Sequence, residues 1–217
     1  MSDTNLNFSP DQINALLDNL VEKGWYEWPN AIPDSLCENL LVEIETYDEL
    51  GALQRAGIGR GDQHQLNHSV RRDEIKWLDG RSESQLQYFE AMHTLQTEMN
   101  RALFLGLFEY ECHYALYPQG GFYKTHRDSF KGQANRMVTT VLYLNPGWQN
   151  HWGGELVLYD DKQTKQIAKI APELGKMVIF MSEQIPHEVL PTHQPRASVA
   201  GWFRLNSSTA VIIDPPL

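Results

Sequence analysis

The chain has 217 residues, a length that suits one domain with a full-sized hydrophobic core. It carries 18 basic and 28 acidic side chains, a formal net charge of −10, and no run of lysine or arginine. This balance argues against a nucleic-acid partner, because basic contacts with phosphates supply most of the affinity in such complexes. Two distant cysteines, Cys37 and Cys112, predict no disulfide framework and indicate a reducing compartment. There is no signal-peptide pattern and no apolar run near the roughly 20 residues that span a bilayer, so we expect a cytoplasmic protein without a membrane partner.

Helical patterns come first along the chain. A capping box at residues 9–12 begins a first helix, which Gly24 ends. A second helix is predicted to begin near Asp34, and a third to run from about Ser82 to Leu107. The residues expected on their buried faces are Ile13, Leu16, Leu17, Leu20, Val21, Leu36, Leu40, Leu41, Ile44, Leu86, Phe89, Met92, Met99 and Leu103.

A long polar segment separates the second and third helices. Residues 51–73 are rich in glycine and show little periodicity. A connection of this length without regular structure is uncommon in a compact domain and is often functional. Two interpretations stay open, namely a mobile lid over an active site and a plain surface loop.

After Glu109 the apolar pattern changes from helical spacing to a period of two residues. Turn residues divide this region into eight short strands. The predicted strands span residues 110–117, 122–128, 137–145, 154–160, 166–171, 176–181, 186–190 and 197–205. Eight strands at this spacing favour an antiparallel jelly roll, which can hold a small molecule in its mouth. The predicted fold class is therefore α+β. A helical support region at 1–108 and a jelly-roll core at 109–217 form one domain.

The most informative motif is His126-x-Asp128, followed at long range by His187 and Arg196. Residues i and i+2 of a strand point the same way, so His126 and Asp128 can bind one ion side by side. Two imidazoles and a carboxylate are the ligands that hold non-haem Fe(II) on one face and leave the other positions open. Arg196 supplies a fixed cation for a co-substrate that carries a carboxylate. We predict a metal site formed by His126, Asp128 and His187.

The alternative is that these histidines are ordinary core or surface residues, as most histidines are. That interpretation applies to the histidines that lack such neighbours, which are His64, His68, His93, His151 and His193. Alternation after Arg196 places Ser198, Ala200 and Trp202 on the same face of a strand. A cation, two small residues and an aromatic ring are more typical of the wall of a narrow pocket than of a core face.

On these residues the chain resembles the Fe(II)- and 2-oxoglutarate-dependent oxygenases. More narrowly, it is similar to the bacterial relatives of the animal hypoxia-sensing prolyl hydroxylases. The resemblance covers roughly residues 34–205 and implies a double-stranded β-helix, the jelly roll of that family. The motifs that carry it are His126-x-Asp128, Val141-Leu-Tyr-Leu-Asn145, Gly153-Gly-Glu-Leu156, Ile185-Pro-His-Glu-Val189, Arg196 through Trp202-Phe203, and upstream Arg72-Asp-Glu-Ile-Lys-Trp77.

The resemblance implies both a chemistry and residue roles. Fe(II), 2-oxoglutarate and O2, with ascorbate as reductant, would hydroxylate a C–H bond and release succinate and CO2. Arg196 would pair with the distal carboxylate of 2-oxoglutarate, and Tyr143 would donate its hydroxyl to the same group. Tyr117 would line the 2-oxoglutarate pocket close to the metal. His113 shares that face and would be a neighbour of the metal site rather than a fourth ligand. The walls of the pocket would be Ala115, Val141, Leu156, Val189, Ala200 and Trp202.

The implied substrate is a prolyl residue of a cytosolic protein, hydroxylated at the trans-4 position, and the family suggests a translation elongation factor. A lid over residues 58–73 would close on the bound peptide. The candidate substrate and lid residues are Arg60, Arg72, Asp73, Trp77 and Tyr123. Three alternatives stay open, namely a hydroxylase of a free amino acid or small metabolite, an oxidative nucleic-acid repair enzyme, and a non-catalytic oxygen- or 2-oxoglutarate-sensing module. Negative charge counts against the second, and the intact ligand set counts against the third.

Overall fold

The fold is seen in a computed structural model that describes residues 8–57, 69–129 and 135–206. Its helices are α1 (Pro10–Lys23), α2 (Asp34–Glu49) and α3 (Glu83–Leu103), and a 3-10 turn lies at Asn150–Trp152. Its strands are β1 (Trp25–Trp28), β2 (Gln54–Arg55), β3 (Glu74–Trp77), β4 (Leu107–Tyr117), β5 (Tyr123–His126), β6 (Arg136–Tyr143), β7 (Leu156–Tyr159), β8 (Gln166–Ile170), β9 (Met177–Met181), β10 (His187–Val189) and β11 (Arg196–Leu205). Each of the eight predicted strands overlaps an observed one, from β4 to β11.

Local side-chain chemistry sets the ends of the helices. The predicted capping box of α1 is present, with Ser9 and Gln12 each accepting from the other's backbone N–H, and Gly24 ends the helix at φ 78°. The predicted extension of α3 to Leu107 is wrong. Asn100 both donates to and accepts from the backbone of Leu107, at 2.8 and 2.7 Å, and so turns the chain into β4.

The helical faces were predicted with two errors. Val21 is 72% exposed and Leu86 is 53% exposed, although both were expected in the core. Gln85 takes the buried position beside Leu86, because its side-chain oxygen accepts hydrogen bonds from the backbone N–H groups of Asp79 and Gly80. The buried face of α3 therefore begins with a satisfied amide, and Leu86 lies on the exposed side of the helix.

The strands form two antiparallel sheets. The larger sheet has the order β1-β9-β6-β11-β4-β3-β2, and the smaller has the order β5-β10-β7-β8. β11 is central in the larger sheet and pairs along its length with β4 and β6. The three strands that the sequence did not predict, β1 to β3, extend this sheet at both edges.

Two apolar layers hold the sheets and helices together. The three helices pack on the outer face of the larger sheet, where Leu16, Leu40 and Met92 meet Leu142 and Phe203. The inner face packs against the smaller sheet to form the second core. Among the described residues, no helix is both long and apolar enough to cross a membrane.

Candidate active site

Two of the predicted metal ligands face each other across a strand pair. β5 and β10 run antiparallel, and their register places His126 directly opposite His187. The centres of the two rings are 4.2 Å apart. Directly opposed residues share one face of a sheet, so residues far apart in sequence present their imidazoles to the same point inside the fold.

Asp128 completes the group. It lies just beyond the observed end of β5 at His126, so the predicted continuation of this strand to residue 128 is not observed. Its two carboxylate oxygens each lie 3.6 Å from a histidine Nε2, one from His126 and the other from His187. One ligand atom from each of the three residues lies within 4.8 Å of the others. This is a group that could hold one metal ion.

Hydrogen bonds orient the two rings. Nδ1 of His126 lies 2.8 Å from the carbonyl oxygen of Lys124, and Nδ1 of His187 lies 3.1 Å from that of Ile185. A carbonyl can only accept, so each Nδ1 carries a proton, and Nε2 is the nitrogen of each ring that is left to bind a metal. Ligand histidines are commonly held by a hydrogen bond from the other ring nitrogen in this way.

Burial and neighbouring groups set the charges of this site. Burial, together with the nearby His126, lowers the pKa of His187 to about 4, so its imidazole is neutral near pH 7. Burial by itself would raise the pKa of Asp128, but His187 and the contact with His126 hold that pKa well below its usual range. Thr139 also donates a hydrogen bond of 2.9 Å to the Asp128 carboxylate. Neutral imidazoles and an ionised carboxylate are the donors that Fe(II) takes in a three-residue facial site.

Arg196 lies at the other end of this interior and is almost completely buried. Its Nε donates to the carbonyl oxygen of Gly154 at 2.8 Å, and Nη1 donates to the hydroxyl of Ser198 at 3.3 Å. The guanidinium carbon is 4.9 Å from the centre of the Tyr117 ring and 5.0 Å from that of Tyr143. The pocket therefore places two aromatic rings beside a buried cation.

Two buried donors at this end have no hydrogen-bond partner within the described residues. They are Nη2 of Arg196 and the hydroxyl of Tyr143. Burial raises the pKa of Tyr143, against the opposing effect of the Arg196 charge, so the hydroxyl keeps its proton and can donate. Buried donors are rarely left unpaired, and a cation beside a hydroxyl suits a carboxylate. The observation fits 2-oxoglutarate, which has a carboxylate at each end.

The inner face of β6 connects the two ends. Thr139, which binds Asp128, and Tyr143, which lies beside Arg196, are four residues apart and therefore share that face. The predicted wall residues lie in the same layer, where Ser198 pairs with Ala115 and Tyr143, and Ala200 pairs with Val141. Leu156 and Val189 pair with each other on the smaller sheet and close the layer from the opposite side.

An aromatic cluster lies at the metal end of the larger sheet. Trp77, which is 44% exposed, meets the His113 ring edge-on at 5.2 Å, and His113 lies 5.3 Å from Trp202. Trp202 is buried and is covered by the guanidinium of Arg136 at 3.6 Å. Arg136 is itself paired with Glu111 at 2.6 Å.

The predicted substrate and lid residues are only partly brought together. Tyr123 stacks on His126 with 3.5 Å between ring centres, and Asp73 is buried. Arg72 is exposed and lies over the Phe122 ring, so it is not brought to the metal. Its neighbour Arg71 lies there instead, paired with Asp73 and placed over the Tyr123 ring. Arg60 and most of the predicted lid at 58–73 lie outside the described residues.

Sequence reasoning missed Arg71, Thr139, Arg136 and Glu111. Counting back from Trp77 in steps of two would have placed Arg71 and Asp73 on the inner face. No comparable signal marks Thr139 as the partner of Asp128, because that contact depends on how two sheets pack.

Comparison with known proteins agrees with this geometry. The family model of the 2OG-Fe(II) oxygenase superfamily matches residues 112–204. Prolyl 3-hydroxylase OGFOD1 of Mus musculus is 35% identical over 102 residues, which cover 42% of this chain and only 18% of that protein. A crystal structure of a Pseudomonas putida prolyl-4-hydroxylase has 39% sequence identity and a TM-score of 0.81, covering 90% of this chain and 100% of that one. A Trichoplax adhaerens prolyl hydroxylase, solved with a peptide fragment of the hypoxia inducible factor oxygen degradation domain, is alike in fold, with a TM-score of 0.79, 24% identity, and coverage of 92% of this chain and 95% of that one.

Proposed function

We propose, on the premise that the chain belongs to the 2OG-Fe(II) oxygenase superfamily, that it hydroxylates a prolyl residue of a protein substrate. The enzymes of this superfamily use Fe(II), 2-oxoglutarate and O2, and they release succinate and CO2. One observation carries the prolyl assignment. The relative that shares 39% identity over 90% of this chain is a Pseudomonas putida prolyl-4-hydroxylase.

In this proposal His126, Asp128 and His187 hold Fe(II), which supplies the activation of O2 when it is bound. Arg196 and Tyr143 hold the distal carboxylate of 2-oxoglutarate. The proposal is supported by the hydrogen bonds that leave Nε2 of each histidine for the metal, and by the unpaired donors of Arg196 and Tyr143.

The remaining pocket residues position the co-substrate and keep water out. Four buried residues of the second apolar core line the pocket, namely Tyr117, Val141, Leu156 and Val189. Ala200 is small enough to leave space beside them. Exclusion of water from a reacting centre strengthens the polar contacts within it and limits side reactions. Trp202 is assigned to the same wall, toward the metal end.

We propose position 4 of the proline ring as the site of hydroxylation. The support comes from the relative with the longer match, because the P. putida 4-hydroxylase matches 90% of this chain and the mouse 3-hydroxylase matches 42%. The two positions give isomeric products of equal mass. They must therefore be separated by chromatography after hydrolysis rather than by mass alone.

We also propose a substrate protein and a cellular compartment. We propose a cytosolic translation elongation factor, on the family resemblance of the sequence motifs. A cytoplasmic location is supported by the two cysteines, Cys37 and Cys112, which are buried free thiols. Reducing compartments maintain that state.

The test is mass spectrometry on a cytosolic lysate incubated with the enzyme, Fe(II), ascorbate and 2-oxoglutarate, with His187→Ala as the control. A gain of one oxygen atom on a proline, absent from the control, would establish both the reaction and its substrate. Succinate release that depends on added small metabolites, without any new protein oxidation, would replace the proposal with a small-molecule hydroxylase.

A further inference from the structure

The aromatic cluster at the metal end contains an indole donor and an imidazole acceptor that the site described above does not use. His113 lies on the inner face of β4, opposite Trp77 of β3 and Ala200 of β11. Trp202 lies on the same face of β11, one step further toward the metal end. Both side chains are more than nine-tenths buried.

His113 presents a hydrogen-bond acceptor. Its Nδ1 lies 3.0 Å from the carbonyl oxygen of Tyr114, so Nδ1 carries the proton and the lone pair is on Nε2. Burial, with a further effect of the Arg71 charge, lowers the pKa of His113 to about 4. At neutral pH the ring is therefore uncharged, and the packing of Trp77 and Trp202 against it fixes its orientation.

Trp202 presents a donor. Its indole N–H is buried and has no hydrogen-bond partner within the described residues. Arg136 covers the face of the ring, and its charge is balanced by Glu111. The charge of Arg71 is balanced in the same way by Asp73. A buried N–H without a partner is rare and costs free energy, so an orphan beside a binding site indicates a ligand acceptor.

We infer that His113 and Trp202 bind the backbone N–H and C=O of one substrate residue, the one that follows the target proline. Its N–H donates to Nε2 of His113, and its carbonyl accepts from the indole N–H of Trp202. The two groups of a trans amide point in opposite directions, whereas the N–H and C=O of one residue in an extended chain point the same way, so a neighbouring donor and acceptor complement one residue. A carboxylate offers nothing to the lone pair of His113. The inference rests on the proposed prolyl hydroxylation and describes how the enzyme recognises the backbone of that substrate.

Proline chemistry restricts which residue is bound. Proline has no backbone N–H, so the target residue itself cannot satisfy His113. The residue that follows it offers both groups. This pair therefore sets the register of the peptide, and it favours a peptide over a free amino acid, which has no amide after its ring.

The test uses the prolyl peptide found by mass spectrometry and the enzyme loaded with Fe(II) and 2-oxoglutarate. His113→Leu and Trp202→Phe should each raise the KM for the peptide by about three- to ten-fold, and leave the KM for 2-oxoglutarate within two-fold, about the effect of one neutral hydrogen bond. His113→Gln, which keeps an acceptor near the position of Nε2, should recover most of the loss. Phe104→Ser, at a side chain that is 89% exposed, is the control variant.

A second arm isolates the hydrogen bond from packing. Replacing the amide after the proline by an ester removes its N–H, and should raise the KM of the wild-type enzyme about three- to ten-fold. The same replacement should add nothing in His113→Leu. Binding of both peptides to the Mn(II)-loaded protein, measured by calorimetry, should show the same pattern without turnover.

The outcomes separate this inference from the proposed function. Absence of wild-type hydroxylation on any prolyl peptide would refute the function itself. Wild-type hydroxylation with an unchanged peptide KM in His113→Leu would refute only the inferred backbone contacts of His113 and Trp202. A rise in the KM for 2-oxoglutarate but not for the peptide in Trp202→Phe would assign the indole N–H to the co-substrate and also overturn the inference.

Discussion

The guanidinium of Arg71, on the segment that leads into β3, lies 4.4 Å from the centre of the ring of Tyr123, the first residue of β5. The same Tyr123 ring stacks on His126 at 3.5 Å, so a cation, an aromatic ring and a metal-ligand candidate form one column. Arg71 is fixed in turn by Asp73. The orientation of His126 therefore depends on residues outside the ligand set.

Tyr123→Ala should weaken metal binding, because it removes the ring that supports His126. Stacked aromatic pairs are worth about 0.5–1.5 kcal/mol, so we expect a rise in the metal Kd of about two- to ten-fold. Tyr123→Phe keeps the ring and should bind metal as the wild type does. Titration with Mn(II), followed by electron paramagnetic resonance, measures both, and equal loss in the two variants would point to the hydroxyl instead.

His187→Ala and Asp128→Ala should each abolish turnover while the fold survives. The second apolar core, formed by residues such as Leu158, Val178 and Phe180, does not need the metal to pack. Circular dichroism and thermal unfolding should show a folded protein in both variants. Added Fe(II) should raise the melting temperature of the wild type but not that of His187→Ala, because only a state that binds metal is stabilised by it.

Arg196→Ala should raise the 2-oxoglutarate requirement far more than the requirement for the protein substrate. A charge-assisted hydrogen bond is worth about 1.5–3 kcal/mol, which is roughly ten- to a hundred-fold in the apparent KM. Arg196→Lys should recover only part of this, because an ammonium group cannot make the planar two-point contact. Steady-state succinate assays at varied 2-oxoglutarate test this, and an unchanged KM would mean that another cation binds the co-substrate.

Thr139→Val should weaken the metal site without changing its ligands. The hydroxyl of Thr139 donates to the Asp128 carboxylate, and such supporting contacts commonly contribute about ten- to a hundred-fold in metal affinity. Thr140→Val is the matched control, because Thr140 lies on the opposite face of β6 and hydrogen-bonds to Tyr110. Metal titration of the two variants should show a loss only in Thr139→Val.

His113 should make stability depend on pH. Its pKa is about 4 in the fold and about 6.5 when unfolded, so the unfolded chain binds more protons between these values. The stability that this neutral ring confers is full above pH 6.5 and is lost as the pH falls toward 4. In His113→Gln the melting temperature should therefore fall less steeply over that interval, with the exposed His93→Gln as control.

The sequence predicted the jelly-roll half of the fold well, for a physical reason. Strands β4 to β11 alternate between two apolar layers and are separated by turn residues, so their period is visible. β1 has the sequence Trp-Tyr-Glu-Trp and β2 has two residues, and segments that short carry no readable period. Their place in the sheet is decided by contacts with β9 and β3.

Part of the candidate site could be predicted from the sequence, and part could not. The spacing of His126 and Asp128 and the face of Arg196 can be read along single strands. The assignment of Arg72 rather than Arg71 to the substrate side shows the limit, because a shift of one residue reverses the face of a strand. The unpaired groups of Tyr143, Arg196 and Trp202 are properties of packing between strands, and no linear pattern encodes them.

The pairing of β5 with β10 has a consequence for the folding of the smaller sheet. The two strands contain four and three residues, and their register shifts between His187 and Val189, so few backbone hydrogen bonds join them. An ion bound by His126 and His187 would act as a cross-link between distant parts of the chain and restrict the unfolded state, much as a covalent bridge does. The metal would then contribute to the architecture of the barrel as well as to its chemistry.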